Sequence, residues 1–455
     1  MDNFREQRIA RSFVLTNNIP LIGEKEAFMQ TVTNVQIDKS RRYDRRPFTQ
    51  TIDYSLGISE SNKRKWLNLK AKAVDISETG IGIQTDYPLA PGHMLWFNGG
   101  VEEKAGFVKW CTKIDNEYRV GIELDGRHIR TLDEATEIFN RQLAEIEQRC
   151  LNPDENMEKI LDSTKNALDR VCEACESFER QVKDKNILRD AQIRFREKTN
   201  SMISKSYFLN RARTWPQGYQ GDYKMLENIY RNTPLSEGIG YYLDLSLLNA
   251  QLARSVRNRL QKLEYLLKTD LKKRQKPSVL NIACGSCREV FELAPEIENS
   301  GAKFTCIDLD NDALAFAANR LSFTNISPVT SEQVVLRKYN AVRMFDHDLN
   351  MNEFGKQDII YSVGFFDYLP SDFLVSLFKA LYDLLNPGGL LITSFKDANR
   401  YRHQDYHWLV DWDGFLQRSE EDFKNIFFDA QIPDSAISET RVDSDIIVFY
   451  CITKK

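Results

Sequence analysis

Over residues 30–127, short segments alternate apolar and polar positions. Trp66-Leu67-Asn68-Leu69-Lys70-Ala71-Lys72-Ala73-Val74 is one of them, and turn signals such as Ser77-Glu78-Thr79-Gly80 and Ala90-Pro91-Gly92 separate them. Several short strands at this spacing predict a small antiparallel β-barrel. From residue 131 the period becomes helical, with Leu132, Ala135, Phe139, Leu143 and Ile146 stepping by three or four. Asn152-Pro153-Asp154-Glu155 predicts an N-cap, a first-turn proline and an acidic first turn. The apolar seam Met157, Leu161, Thr164, Leu168, Val171, Cys175, Phe178, Val182 follows. Two such seams predict an antiparallel helical pair or bundle, which could also serve as a homodimer interface. A third helical stretch, 241–273, leads into the basic, proline-ended Lys272-Lys273-Arg274-Gln275-Lys276-Pro277, a natural hinge. From 278 onward, apolar strands at 279–283, 304–307, 359–363, 390–393 and 446–452, with another near Val442, alternate with helical segments. That is the pattern of a Rossmann-like, doubly wound α/β sheet. The expected organisation is an N-terminal extension (1–38), the β-barrel (39–128), a helical connector and cap (129–275) and the α/β domain (276–455).

Composition narrows the function. A chain of 455 residues is about three domains at ~150 residues each. Hydrophobic content of 42% with 28% charged residues excludes disordered and fibrous classes. The net charge of −4 argues against DNA or RNA as a whole-chain partner. Eight cysteines at irregular spacing make no disulfide scaffold. No apolar run is long enough to span a membrane. Met1-Asp2-Asn3-Phe4-Arg5-Glu6 is no signal peptide. The expectation is a soluble, cytoplasmic, multi-domain protein.

Arg41-Arg42-Tyr43-Asp44-Arg45-Arg46 precedes the first clear strand, and Asp75-Ile76-Ser77-Glu78-Thr79-Gly80 follows a later one. Each alone reads as a solvated basic face and a tight turn. In this order, RRxxxR followed by DxSxxG, they resemble the PilZ domain, whose closing strands Gly106-Phe107-Val108-Lys109-Trp110 and Tyr118-Arg119-Val120-Gly121-Ile122-Glu123-Leu124 also resemble. The resemblance covers about 40–127 and implies cyclic di-GMP as ligand. Guanidinium forks suit phosphate and guanine edges, which fits Arg41, Arg42 and Arg46 as a clamp. Asp75, Ser77 and Gly80 would form the opposing wall. In that family an arginine at the place of Arg41 goes with an intercalated ligand dimer.

In the last domain, Val279-Leu280-Asn281-Ile282-Ala283-Cys284-Gly285-Ser286-Cys287-Arg288-Glu289 is a strand, a small-residue turn and a helix start, and Asp308 ends the next strand. A tight first βα turn with a carboxylate one strand on is how a nucleotide ribose is held. With Asp346-His347-Asp348, Asp358-Ile359-Ile360-Tyr361-Ser362 and Leu385-Asn386-Pro387-Gly388-Gly389-Leu390-Leu391-Ile392, the series resembles class I S-adenosylmethionine-dependent methyltransferases. That resemblance implies Asn281, Ala283, Cys284, Gly285, Asp308, Leu309, Asp348 and Ser362 as cofactor-binding residues. The chain departs from the family at Asn281, where an acid is usual, and at Cys287, where a glycine is usual.

A narrower likeness joins Gly218-Tyr219-Gln220-Gly221-Asp222-Tyr223-Lys224-Met225, Val256-Arg257-Asn258-Arg259, Gly364-Phe365-Phe366-Asp367-Tyr368-Leu369, Asp411-Trp412 and Arg418-Ser419-Glu420-Glu421. Together they resemble the family named for the enzyme that makes 3-hydroxypalmitic acid methyl ester, a bacterial cell–cell signal. The similarity spans about 210–425 and implies a fatty-acid-like carboxylate as methyl acceptor. Carboxylate methylation needs no strong base, only in-line approach and a dry site. Tyr219, Tyr223, Phe366, Tyr368 and Trp412 could build that slot. The catalytic candidates are Asp222, Tyr223, Asp367, Tyr368 and Trp412, with the two acids holding either the cofactor's amino group or an arginine such as Arg257. Cys172-Glu173-Ala174-Cys175 and Cys284-Gly285-Ser286-Cys287 make two CxxC pairs, but one falls on a helical seam and the other in the cofactor loop, so no metal is expected. The overall expectation is a cyclic di-GMP-responsive O-methyltransferase. The rival is an effector whose methyltransferase fold binds ligand without turnover and acts through protein contacts.

Overall fold

The computed structural model describes residues 45–60, 63–77, 79–91, 93–99, 105–124, 126–182, 184–322 and 333–455. They fall into two compact units that divide between Ile203 and Ser204. The helical stretch expected as one connector over 129–275 is therefore shared between the units.

In the N-terminal unit, strands β1 (Arg46–Pro47), β2 (Thr51–Glu60), β3 (Lys63–Ser77), β4 (Gly80–Thr85), β5 (Met94–Gly99), β6 (Ala105–Ile114) and β7 (Glu117–Leu124) form one antiparallel sheet. Its order is β1-β3-β2-β5-β6-β7-β4, and β3 pairs with β4 in addition. Alternation sorts each strand into two faces. Ile52, Tyr54 and Leu56 of β2 turn inward against Ala71, Ala73, Ile81, Ile83, Leu95, Phe97, Val108, Val120 and Ile122. Three helices follow: α1 (Gly126–Cys150), α2 (Met157–Gln181) and α3 (Lys185–Ile203). The cap of α2 is Asn156, whose side chain accepts from the Glu158 and Lys159 amides; Asn152 instead closes a turn with the Asp154 amide. The buried stripe of α2 runs through Ile160, Thr164, Ala167, Val171, Cys172, Cys175 and Phe178, while Met157 is exposed. Phe139 of α1 stacks with Phe195 of α3 at 6.3 Å, and Arg194 of α3 lies 3.8 Å over Trp96 of β5. These apolar stripes are filled by helices and strands of the same chain.

The α/β unit opens with α4 (Tyr207–Thr214), α5 (Tyr223–Arg231), α6 (Ile239–Asn249) and α7 (Gln251–Leu271). The expected helix over 241–273 is broken at Ala250, which has extended backbone. Then come β8 (Ser278–Ile282), α8 (Arg288–Glu292), α9 (Ala294–Ser300), β9 (Lys303–Asp308), α10 (Asn311–Ser322), β10 (Val334–Lys338), α11 (His347–Phe354), β11 (Gln357–Val363), α12 (Ser371–Leu384), β12 (Leu385–Lys396), α13 (Glu420–Asp429), β13 (Ile437–Arg441) and β14 (Ile447–Thr453). The seven-stranded order is β10-β9-β8-β11-β12-β14-β13. β8 to β12 are mutually parallel, and β14 runs antiparallel to both β12 and β13. Both faces are covered, as a parallel sheet requires. On β8, Val279 packs with Leu263, Leu267 and Leu271 of α7, while Leu280 and Ile282 pack with Leu377, Phe378 and Leu381 of α12. Among the described residues no helix is long and apolar enough to cross a membrane.

Candidate functional site

Strand order reverses at β8, which has β9 on one side and β11 on the other, so a crevice opens beyond the carboxyl ends of these strands. The β8–α8 loop lies there. Its backbone takes positive φ at Ala283 (55°), Gly285 (54°) and Cys287 (48°). Only the middle one is a glycine, so the other two hold a costly conformation. The Cys284 amide donates to the Ile307 carbonyl at 3.0 Å, and the Gly285 amide donates to Asp308 Oδ2 at 2.8 Å. Asp308 Oδ1 accepts from the Asp310 amide at 2.9 Å. Burial pushes the Asp308 carboxyl up, and these amides counter it. A Cβ built on Gly285 would find only Tyr223, at 4.0 Å. The loop thus faces space on its glycine side, with a carboxylate beside it and exposed Leu309 next in line. A ribose and an adjoining amino-acid chain fit such a cradle.

Two expected cofactor residues, Asn281 and Ser362, are engaged by neighbouring groups, and a third, Asp348, is exposed. Asn281 donates to Glu289 Oε1 at 2.8 Å, and the Tyr361 hydroxyl donates to the same oxygen at 2.9 Å. Glu289 thus stands beside Asn281, and burial pushes its carboxyl up. Ser362 is buried with its hydroxyl on the Ile282 carbonyl at 2.8 Å, where it braces β11 to β8. Asp348 sits in the first turn of α11 with its side chain 95% exposed. β10 ends at Lys338, eight residues before Asp346, so Asp346-His347-Asp348 is a helix start capped by Asp346, and no strand end. The Cys284 thiol, despite a hydrogen bond from Cys287 that favours thiolate, is pushed up to about 12 by burial.

The helices ahead of the sheet are pinned to this loop. Glu227 of α5 accepts from Ser286 Oγ at 2.6 Å and pairs with Arg320 of α10. Burial alone would raise its carboxyl, but Arg320 and Ser286 hold it below the usual range. The Tyr219 hydroxyl donates to Asp310 Oδ2 at 2.7 Å, and Tyr223 packs on Phe316 at 5.4 Å. Gln220 clasps the segment around Trp412, bonding the Asp411 carbonyl at 2.7 Å and the Gly414 amide at 2.9 Å. Asp222 is buried, caps α5 through the Met225 amide at 3.0 Å, and takes a forked ion pair from Arg211 at 2.9–3.1 Å. Asp222 thus caps α5 and holds Arg211, where an arginine such as Arg257 was expected.

Beyond β11 and β12 lies a second group. Asp367 pairs with Lys396 at 2.5 Å; burial lowers the lysine ammonium and Asp367 counters it. Lys396 also sits 4.8 Å over Phe415, and burial raises the Tyr368 phenol. Tyr368, Tyr401, Tyr406, Trp412 and Phe415 form one aromatic cluster, with Tyr406 and Trp412 stacked at 6.4 Å. Phe366 does not join it: fully buried, it meets Phe378 edge-on at 5.3 Å in the sheet core. Arg259 of α7 lies against Gly364, just past β11. Spacing alone did not single out Glu289, Lys396 or Arg259, since their partners are set by strand order.

In the N-terminal unit, Arg41 and Arg42 lie outside the described residues. Arg46 is exposed on β1, paired across from Ile76. Asp75 is held between Arg45 and Arg119, the latter at 2.5 Å, and the Ser77 hydroxyl donates to the Gly80 carbonyl at 3.2 Å. A Cβ on Gly80 would meet Arg45 at 3.3 Å and Ser77 Oγ at 3.5 Å. Asp75, Ser77 and Gly80 thus come together, with Arg45 and Arg119 as the unforeseen members.

Residues 280–391 match the protein family described as "Methyltransferase domain". No curated protein matches the chain at a significant level. Among solved structures, a possible exported protein from Bordetella parapertussis is 13% identical, covering 71% of this chain and 96% of that one at a TM-score of 0.43. Magnesium protoporphyrin IX methyltransferase from Synechocystis PCC 6803 with bound SAH is 14% identical, covering 45% and 86% at a TM-score of 0.34. A SAM-dependent methyltransferase from Methanosarcina mazei is 18% identical, covering 40% and 93% at a TM-score of 0.31. The family match places a methyltransferase domain at residues 280–391, within the α/β unit, and supports a methyltransferase.

Proposed function

We propose that the protein is a cytoplasmic, S-adenosylmethionine-dependent O-methyltransferase that esterifies a fatty-acid-like carboxylate and responds to cyclic di-GMP through a PilZ-like N-terminal domain. The observation that carries the cofactor reading is the tie between the Gly285 amide and Asp308 at the sheet's switch point. S-adenosylmethionine, when bound, supplies an electrophilic methyl group. Ala283 to Gly285 and Asp308 would hold it. A carboxylate acceptor is ionised at neutral pH, so no side chain has to take its proton. This agrees with Asp222 and Asp367 being committed to Arg211 and Lys396. What the chain must do is hold the acceptor and exclude water, and the cluster of Tyr368, Tyr406, Trp412 and Phe415 suits that task. The PilZ-like reading is supported by the grouping of Asp75, Ser77 and Gly80 beside Arg45, and by the pairing of β3 with both β2 and β4.

The test is calorimetry of the full chain with each ligand, together with an assay for transfer of labelled methyl to palmitate. Both ligands should bind, Arg46→Ala should abolish only the cyclic di-GMP signal, and a labelled methyl ester should form. Cofactor binding without ester from any carboxylate would favour the non-catalytic effector, which Asn281 in place of an acid already recommends. Failure to bind cyclic di-GMP would remove the sensor assignment.

A further inference from the structure

The buried cations Arg211, Arg320 and Lys396 of the α/β unit have counter-charges in Asp222, Glu227 and Asp367, and Arg418, which pairs with no carboxylate among the described residues, donates to the Ser371 hydroxyl and the Leu369 carbonyl instead. Arg259 differs from the paired three. It is only 4% exposed, its Nε finds no hydrogen-bond partner, and among the described residues it forms no ion pair. The guanidinium is pressed against Gly364, where φ is +91° and an added Cβ would come within 2.4 Å of Nη1. Glycine there is what lets the arginine reach the carboxyl end of β11, beside the cofactor loop.

The electrostatic surroundings do not neutralise it. Lys396 and Tyr368 both feel the Arg259 charge, and the phenol of Tyr230, a neutral group, is its hydrogen-bond partner. Two cations and one carboxylate, Arg259, Lys396 and Asp367, leave this pocket of charge one negative group short. Glu289 and Glu227 are the other acids acting on Tyr230, but they are bound by Asn281 and Tyr361 and by Arg320 and Ser286. A buried guanidinium with no counter-charge is expensive unless an anion meets it. Its planar fork matches a carboxylate bidentately.

We propose that Arg259 is the carboxylate anchor of this site, binding the carboxylate of the methyl acceptor through its guanidinium. The acceptor half of this statement rests on the fatty-acid reading above. The same chemistry could come from the amino-acid end of the cofactor, and the experiment separates the two. Full-length Arg259→Gln and Arg259→Lys are titrated with palmitate, with S-adenosylhomocysteine, and with 5′-methylthioadenosine, which lacks the carboxylate. In Arg259→Gln, palmitate affinity should fall at least tenfold while both nucleosides bind within twofold of wild type; Arg259→Lys should keep part of the palmitate affinity. The unliganded Arg259→Gln protein should melt no lower than wild type, since it loses a buried charge with no counter-charge, whereas a purely structural arginine would lower the midpoint. Weakened S-adenosylhomocysteine with unchanged methylthioadenosine and palmitate would hand the carboxylate to the cofactor and overturn the acceptor assignment. Unchanged affinities for all three would overturn the anchor altogether. A wild-type protein that ignores palmitate but binds S-adenosylhomocysteine would sink the fatty-acid reading, and the nucleoside pair would then decide Arg259 by itself.

Discussion

The carboxylate of Asp308 receives the Gly285 amide on one oxygen and the Asp310 amide on the other. Each oxygen can accept a second hydrogen bond, so the residue can shape the loop and still bind a ribose. The loop needs such a tie, because Ala283 and Cys287 hold left-handed backbone that costs about 1–2 kcal/mol per non-glycine residue. Asp308→Ala should therefore weaken S-adenosylmethionine binding by ~1.5–3 kcal/mol, the range for a hydrogen bond to a charged group. It should also lower the melting midpoint of the unliganded protein, since two part-buried amides lose their acceptor. Isothermal titration and thermal melts read the two effects separately. Unchanged affinity with a lowered midpoint would leave Asp308 a loop brace and nothing more.

At the scale of elements, α7 brings Glu264 toward α8, which carries Glu289 and Glu292. Burial, then those two like charges, push the Glu264 carboxyl from 4.5 to about 7. The folded state thus binds this proton more tightly than the unfolded chain, so ionising it costs stability. The penalty is absent below 4.5 and complete above about 7. Glu264→Gln should raise the melting midpoint at pH 8 and leave it unchanged near pH 4.5; an equal shift at both would exclude ionisation as the cause. Elements of this kind were legible where one face decides them. The central strands read as continuous apolar runs and fell within a few residues of their observed ends. β10 went unseen because it is an edge strand: Val335 is 48% exposed, and Arg337 and Lys338 follow, so no apolar run marks it. Asp346-His347-Asp348 misled because a helix cap and a strand end both favour an acid after apolar residues. The site itself was half legible. Gly285 and Asp308 follow from local strand-turn chemistry, whereas Asp367 with Lys396, or Asn281 with Glu289, meet only through strand order and helix packing, which spacing does not encode.

On the scale of the whole molecule, the covalent path from the N-terminal unit to the α/β unit passes from α3 to α4 through residues 204–206 alone. Ser206 caps α4 and bonds Asp244 at 2.6 Å, and the Lys205 carbonyl lies where a side chain on Gly240 would collide, so this joint has little slack within the α/β unit. If cyclic di-GMP governs methyl transfer, the two ligands must differ in affinity between at least two global states. Linkage then requires reciprocity: each ligand changes the affinity for the other by one common factor, typically about 5–150-fold for ~1–3 kcal/mol of coupling. Titrating S-adenosylmethionine at saturating cyclic di-GMP, and the reverse, measures that factor twice. A Gly-Ser pair inserted between Ile203 and Ser204 should shrink it toward one while leaving each ligand's affinity for the otherwise empty protein unchanged, because the insertion loosens the joint and touches neither site. Control through access of the acceptor would leave both binding affinities alone, so the rate of ester formation is followed with and without cyclic di-GMP in the same proteins. If affinities and turnover are both indifferent to the second ligand, the N-terminal unit does not regulate this chemistry.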